Sequence, residues 1–260
     1  MLHRGLLRTA VASIAIGLTC LLAGCSSHPN AKEIAHVRKL GGNVELDPAD
    51  QAVAKIWLMK GEVVDSDLEY IGRLPRLREL FISRTQVTDD GLKLLTGLST
   101  LEKLDLFDTQ IDDAGLANIA KLTTLMRLGL GNTRITDAGL QSLKSLPQLQ
   151  ELYLGRTRLT DAGMAVVGQF RQLRNLDIFD TRVTSAGIEQ LRDLKGLERL
   201  GLGGSLVDDA AVATISALPR LKHVFLSGCR ISGAGAAAIR KALPHAEVQW
   251  QPVQTAVLRN

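Results

Sequence analysis

Carboxylates, arginines and aromatic rings recur in this chain at fixed offsets, and they set what chemistry is available to it. Asp105 and Asp108 are echoed by Asp177 and Asp180, and Arg84 by Arg156. Phe81, Phe107, Tyr153, Phe179 and Phe225 add rings to the same stretches. Two carboxylates alone make a poor calcium site, because calcium takes roughly six to eight oxygens. Gly129-Leu-Gly131 and Gly201-Leu-Gly203 lack the third glycine of a dinucleotide loop. No His-Glu-x-x-His, Cys-x-x-Cys or Gly-x-Ser-x-Gly occurs. His223 and Cys229 fall on opposite sides of their segment, which separates them as a catalytic pair. These residues suit recognition better than catalysis, so no enzyme, cofactor or metal is expected. Rings and arginines are favoured at protein-binding hot spots. A ring beside carboxylates also suits sugars, so a glycan is the alternative ligand.

The elements that position them follow from a 24-residue frame that runs without slippage from Val53. Copies begin at Val53, Leu77, Leu101, Leu125, Leu149, Leu173, Leu197 and Leu221. A strict period of this kind predicts a stacked solenoid. Each copy opens with Leu-x-x-Leu-x-Leu, whose alternation predicts a strand. It continues with a stripe such as Leu140, Leu143 and Leu146, which predicts a helix. Thr136-Asp137 and its counterparts Thr88-Asp89, Asp112-Asp113, Thr160-Asp161, Thr184-Ser185 and Asp208-Asp209 predict helix N-caps. One repeat buries too little apolar surface to offset its own ordering, so neighbours must stabilise one another.

The repeat resembles the leucine-rich repeat, in its helix-bearing ribonuclease-inhibitor-like and cysteine-containing-like forms. The resemblance implies a right-handed α/β solenoid, with a parallel sheet on the concave face and helices on the convex face. It departs at the ninth position, often Asn in that family. Here the column reads Gly61, Thr85, Thr109, Thr133, Thr157, Thr181, Ser205 and Cys229. A hydroxyl offers one donor where an amide offers two, so a different turn ladder is expected, with Cys229 as a small buried member.

Residues 1–24 carry Arg4 and Arg8 before an apolar run too short to span a bilayer comfortably. Leu22-Ala23-Gly24-Cys25 resembles the lipobox of bacterial lipoproteins, which implies cleavage before Cys25 and acylation of that residue. Residues 1–24 are thus expected to be a signal peptide and 25–30 a lipid-anchored tether. A cap follows over 31–52, with a helix at Ala31–Leu40 and a short strand at Val44–Leu46. Eight repeats occupy 53–244, and a capping strand and tail occupy 245–260. The whole chain has 31 Lys and Arg against 27 Asp and Glu. Losing the two arginines of the signal segment leaves it near neutral, which removes the compositional case for nucleic acid. The membrane partner is expected through the lipid on Cys25. With Ser26 next, resemblance to diderm lipoproteins implies the outer membrane of a bacterial envelope.

A second period of 72 residues relates the outward strand positions. Phe81-Ile-Ser-Arg84 is echoed at Tyr153-Leu-Gly-Arg156 and more loosely from Phe225. Asp105-Leu-Phe107-Asp108 is echoed by Asp177-Ile-Phe179-Asp180. At ~4.8 Å between strands, Phe107 is expected beside Gly131, Phe179 beside Gly203, Arg84 beside Asp108 and Arg156 beside Asp180. These residues form the expected partner-binding face, and pairing that merely stabilises the arc is the competing reading. A further column holds Arg134, Arg158, Arg182 and Arg230. It either invites an acidic partner, lipid headgroup or protein, or is neutralised by Asp108 and Asp180.

Overall fold

A computed structural model describes residues 28–59 and 61–251. The expected signal segment, Cys25 and the residues after 251 lie outside the described part. Ten strands form one sheet in chain order. They are β1 (Asn43–Leu46), β2 (Val53–Trp57), β3 (Glu79–Phe81), β4 (Lys103–Asp105), β5 (Arg127–Gly129), β6 (Glu151–Tyr153), β7 (Asn175–Asp177), β8 (Arg199–Gly201), β9 (His223–Phe225) and β10 (Glu247–Gln249). β1 pairs antiparallel with β2, and every later pair is parallel. The register advances by one frame at each step: Leu80, Leu104, Leu128, Leu152, Leu176, Leu200 and Val224 stand side by side. The result is a right-handed leucine-rich-repeat arc with an open sheet, strands on the concave face and helices on the convex face.

Before the sheet, Ala31–Lys39 is helical and buries Ile34 and Val37. Gly41, at φ 73°, turns the chain out of that helix. The convex elements are short, and several tighten into 3-10 turns. Asp137–Leu140 passes directly into Gln141–Ser145 in this way. A stripe at intervals of three fits that geometry, with its three residues per turn. Leu140, Leu143 and Leu146 accordingly all reach the core.

The helix starts explain the Thr-Asp-x-Gly signature in full. Threonine is the N-cap: the Thr136 hydroxyl accepts from the Ala138 N–H at 3.2 Å, and the Thr160 hydroxyl from Ala162 at 3.4 Å. The aspartate that follows reaches forward into the next repeat instead of capping its own. Asp137 Oδ1 accepts the Thr160 N–H at 2.8 Å while Oδ2 accepts the Thr160 hydroxyl at 2.6 Å. Asp65, Asp113, Asp161 and Asp209 bind Thr88, Thr136, Thr184 and Ser232 in the same way. The glycine is needed because that carboxylate lies where its Cβ would be: Gly139 faces Asp113, and Gly163 faces Asp137. One repeat breaks both rules together. Ser185 replaces the aspartate, and the residue opposite it in the next repeat is Ala211, fully buried.

At the ninth position the hydroxyls bond within their own coil. Thr85, Thr109, Thr157 and Thr181 each donate to the carbonyl three residues back at 2.7–2.8 Å. Cys229 takes that role in its repeat, its thiol reaching the Leu226 carbonyl at 2.9 Å, and burial pushes the thiol's pKa up. The ties between coils come instead from backbone bonds, the aspartate ladder and side-chain pairs elsewhere on the coil, such as Ser83 with Asp105. No buried side-chain nitrogen or oxygen among the described residues lacks a partner.

Candidate functional site

The sheet presents two ordered columns on its concave side. The first runs Trp57, Phe81, Asp105, Gly129, Tyr153, Asp177, Gly201, Phe225. The second, two residues further along each coil, runs Met59, Ser83, Phe107, Gly131, Gly155, Phe179, Gly203, Ser227. Beyond the strands the ladder continues. The N–H groups of Arg84, Asp108, Asn132, Arg156 and Asp180 donate to carbonyls of the next coil at 2.7–2.9 Å. That third column turns the chain away from the sheet, and its residues take the left-handed conformation. φ is 59° at Arg84, 58° at Asp108, 54° at Asn132, 59° at Arg156 and 51° at Asp180, with Gly204 and Gly228 completing the series.

The two rings of the second column lean toward each other. Phe107 lies against Gly131, as its register requires. Phe179 turns the opposite way, onto Gly155, and leaves Gly203 bare. The expectation that Phe179 covers Gly203 is therefore corrected. Gly155, the ring's actual floor, offers as little steric resistance as Gly203, so neighbouring glycines made the direction ambiguous from sequence. The rings converge on adjacent glycines, with Tyr153 beside them in the first column, and form one apolar platform at the middle of the arc.

Polar groups frame that platform. Asp105 leans onto Gly129 and accepts from the Ser83 hydroxyl at 3.0 Å and the Phe107 N–H at 2.9 Å. Asp177 leans onto Gly201 and accepts the Phe179 N–H at 3.1 Å. Burial raises the Asp177 carboxyl above its ordinary range, against the pull of the Phe179 N–H and of Arg199. The Tyr153 hydroxyl donates to Glu151 at 2.7 Å, and the Arg127 guanidinium stands 4.9 Å from the ring centre. Burial and the Glu151 bond push the Tyr153 phenol up to about 12, so it stays neutral as a donor at any physiological pH. Arg199 covers Phe225 at 4.5 Å.

Arg156 pairs with Asp180 at 3.1 Å and lies 5.3 Å from the Phe179 ring. Arg84 does not pair with Asp108. It sits 6.0 Å from the Phe107 ring, while Asp108 accepts from the Asn132 amide at 2.6 Å. Arg84 and Asn132 flank Asp108 from the coils on either side, and it is the amide that takes the carboxylate, a choice that the spacing does not encode. Phe81 belongs to a separate cluster. It stacks on Trp57 at 5.9 Å and 5° between planes, beside Met59, which is 56% exposed. Trp57 and Met59 were missed, although the 24-residue offset from Trp57 to Phe81 carried the signal. Among the described residues, no group of three or more His, Cys, Asp or Glu side chains is arranged to hold a metal ion.

A family model for the leucine-rich repeat region matches residues 56–245. The chain belongs to that family. This leucine-rich-repeat protein is similar in structure to internalin C2 of Listeria monocytogenes, with a TM-score of 0.62 and 24% identity over 76% of this chain and 81% of that one. It is also similar to an internalin, inlF, of the same organism, with a TM-score of 0.51 and 15% identity over 86% of this chain and 90% of the other. A leucine-rich-repeat protein of Leptospira interrogans gives a TM-score of 0.51 and 21% identity over 70% of this chain and 50% of that one. At these identities the likeness concerns the fold. A comparison with curated proteins finds no match. The leucine-rich-repeat fold is in general a scaffold for protein–protein interaction.

Proposed function

We propose that this chain is a lipid-anchored binding protein of a bacterial envelope, non-enzymatic, which holds a protein partner on its concave sheet. The observation that carries the reading is the convergence of Phe107 and Phe179 on Gly131 and Gly155, with Tyr153 alongside. Rings resting on bare backbone are already half-buried, so a partner that covers them has less side-chain freedom left to remove. Flat, rigid aromatic area framed by arginines is what hot spots are made of. Arg156, Asp180 and Arg84 at the rim supply the polar margin. The lipid anchor rests on the lipobox resemblance at Cys25, and an outer-membrane location on Ser26 after it.

In-cell crosslinking followed by mass spectrometry would identify the partner, and capture by single variants tests the face. Phe107→Ala, Tyr153→Ala and Phe179→Ala are each expected to weaken capture by about 2 kcal/mol, or roughly thirtyfold, with the arc still folded. Undiminished capture by all three would sink the reading. Retention on purified cell wall that these variants abolish would assign the rings to a glycan instead. The anchor has its own test. Cys25→Ala is expected to move the protein from the membrane fraction to the soluble one.

A further inference from the structure

The column just past the left-handed turns holds Arg134, Arg158, Arg182 and, after Leu206, Arg230. Backbone bonds fix these positions: their N–H groups donate to carbonyls of the preceding coil at 2.8–3.1 Å. Successive coils stand ~4.8 Å apart, so three guanidinium groups in a row spring from bases within about 10 Å. All four side chains are exposed.

Like charges so close call for compensation, and the structure supplies it only at the two ends of the stripe, where Asp112 pairs with Arg134 and Arg230 attracts Asp208. Asp137 and Asp161, the acids that follow Arg134 and Arg158 in sequence, have both oxygens occupied by Thr160 and Thr184. Asp108 is held by Asn132, and Asp180 by Arg156. Neither carboxylate neutralises the stripe. Arg134 is steadied by the Gln110 carbonyl at 2.8 Å and by Asp112 at 3.8 Å. Arg158 and Arg182 make no side-chain hydrogen bond or ion pair with any described residue.

We infer that this edge is a second docking site, for an acidic polypeptide segment laid across the coils. Guanidinium forks match carboxylates two bonds at a time, and a row of them suits successive Asp or Glu side chains of one extended strand. The location favours a polypeptide over a membrane surface. The chain enters the arc beside Asp50, Pro75 and Arg76, where His28 binds the Gln51 carbonyl at 2.8 Å. That is the end at which the strands begin, whereas the arginines stand where they finish, on the opposite edge. This choice of occupant rests on the lipid anchor proposed above, which would attach the chain at the edge opposite the stripe.

The test uses the full-length chain and a fluorescein-labelled decaglutamate, read by anisotropy at low ionic strength. Arg158→Glu/Arg182→Glu is compared with Arg192→Glu/Arg220→Glu, which changes net charge equally but lies off the column. Arg158→Gln/Arg182→Gln serves where the reversal fails to fold. Loss of at least about tenfold in affinity for the stripe variants supports the site. The control pair should lose under about twofold, and Tyr153→Ala should bind the peptide as well as the parent, which separates this site from the concave face. Equal loss in both double variants, or no peptide binding by the parent, would overturn it. So would stripe-dependent binding of phosphatidylglycerol vesicles with none of the peptide.

Discussion

Arg84 and Arg156 occupy a backbone conformation that suits Asp, Asn and Gly, and the other described members of their column are of those types. A left-handed conformation costs a residue with a Cβ about 1–2 kcal/mol, with Asn and Asp partly compensated by local hydrogen bonds. An arginine has no such compensation. Strain of this kind persists where function holds it, and these two arginines are the ones that flank the platform rings. Arg156→Gly is therefore expected to stabilise the arc by about 1 kcal/mol, raising the melting temperature by roughly 2–4 °C, while weakening capture of the concave-face partner. Thermal melts and pull-downs on one preparation check both halves. Higher stability with unaltered capture would leave the arginines without a binding role. Sequence spacing placed Arg156 beside Asp180 correctly because both follow the frame. It could not show that the turn is left-handed, since the signal in Asp108, Asn132, Asp180, Gly204 and Gly228 is masked by the arginines among them.

At the scale of the element, the helix start is a joint between coils. Sequence identified Thr-Asp as a cap but could not say which oxygen caps and which one bridges, because both choices satisfy the same orphan N–H groups. The structure assigns the bridge to aspartate, and with it the reason for the glycine 26 positions later. Gly139→Ala alone drives a methyl group into the Asp113 carboxylate and is expected to cost about 1–3 kcal/mol. In an Asp113→Ser background the same substitution should cost far less, since Ser185 and Ala211 already coexist in this chain. Denaturant melts of the two singles and the double give the coupling. Additive costs would show that the clash relaxes by some other route. The pair of acids at Asp89 and Asp112 is the ladder's weak rung. Burial, together with the Asp112 carboxylate, raises Asp89, and the Ala114 N–H holds Asp112 low.

On the scale of the molecule, the arc is a sum of coils and their interfaces. Removing residues 125–148 takes out one whole frame and brings Asp113 opposite Thr160, a pairing the ladder accepts. The shortened chain is expected to fold with the same circular dichroism per residue and a lower melting temperature. Deleting 125–136 instead breaks the register and is expected to abolish folding; a folded product would argue against frame-by-frame stacking. The fold was legible because its signal repeats eight times in the sequence. The platform was only half legible, because the direction in which a ring leans is decided by contacts that no spacing encodes. The bridge between aspartate and glycine also orders how such a chain can change over generations. A lineage that loses the acid first passes through a coil with a spare gap and survives to gain the methyl later. One that gains the methyl first meets a collision. The order of the two steps is therefore constrained at each joint, whichever way the change runs, and Ser185 with Ala211 is a joint where aspartate and glycine are absent together.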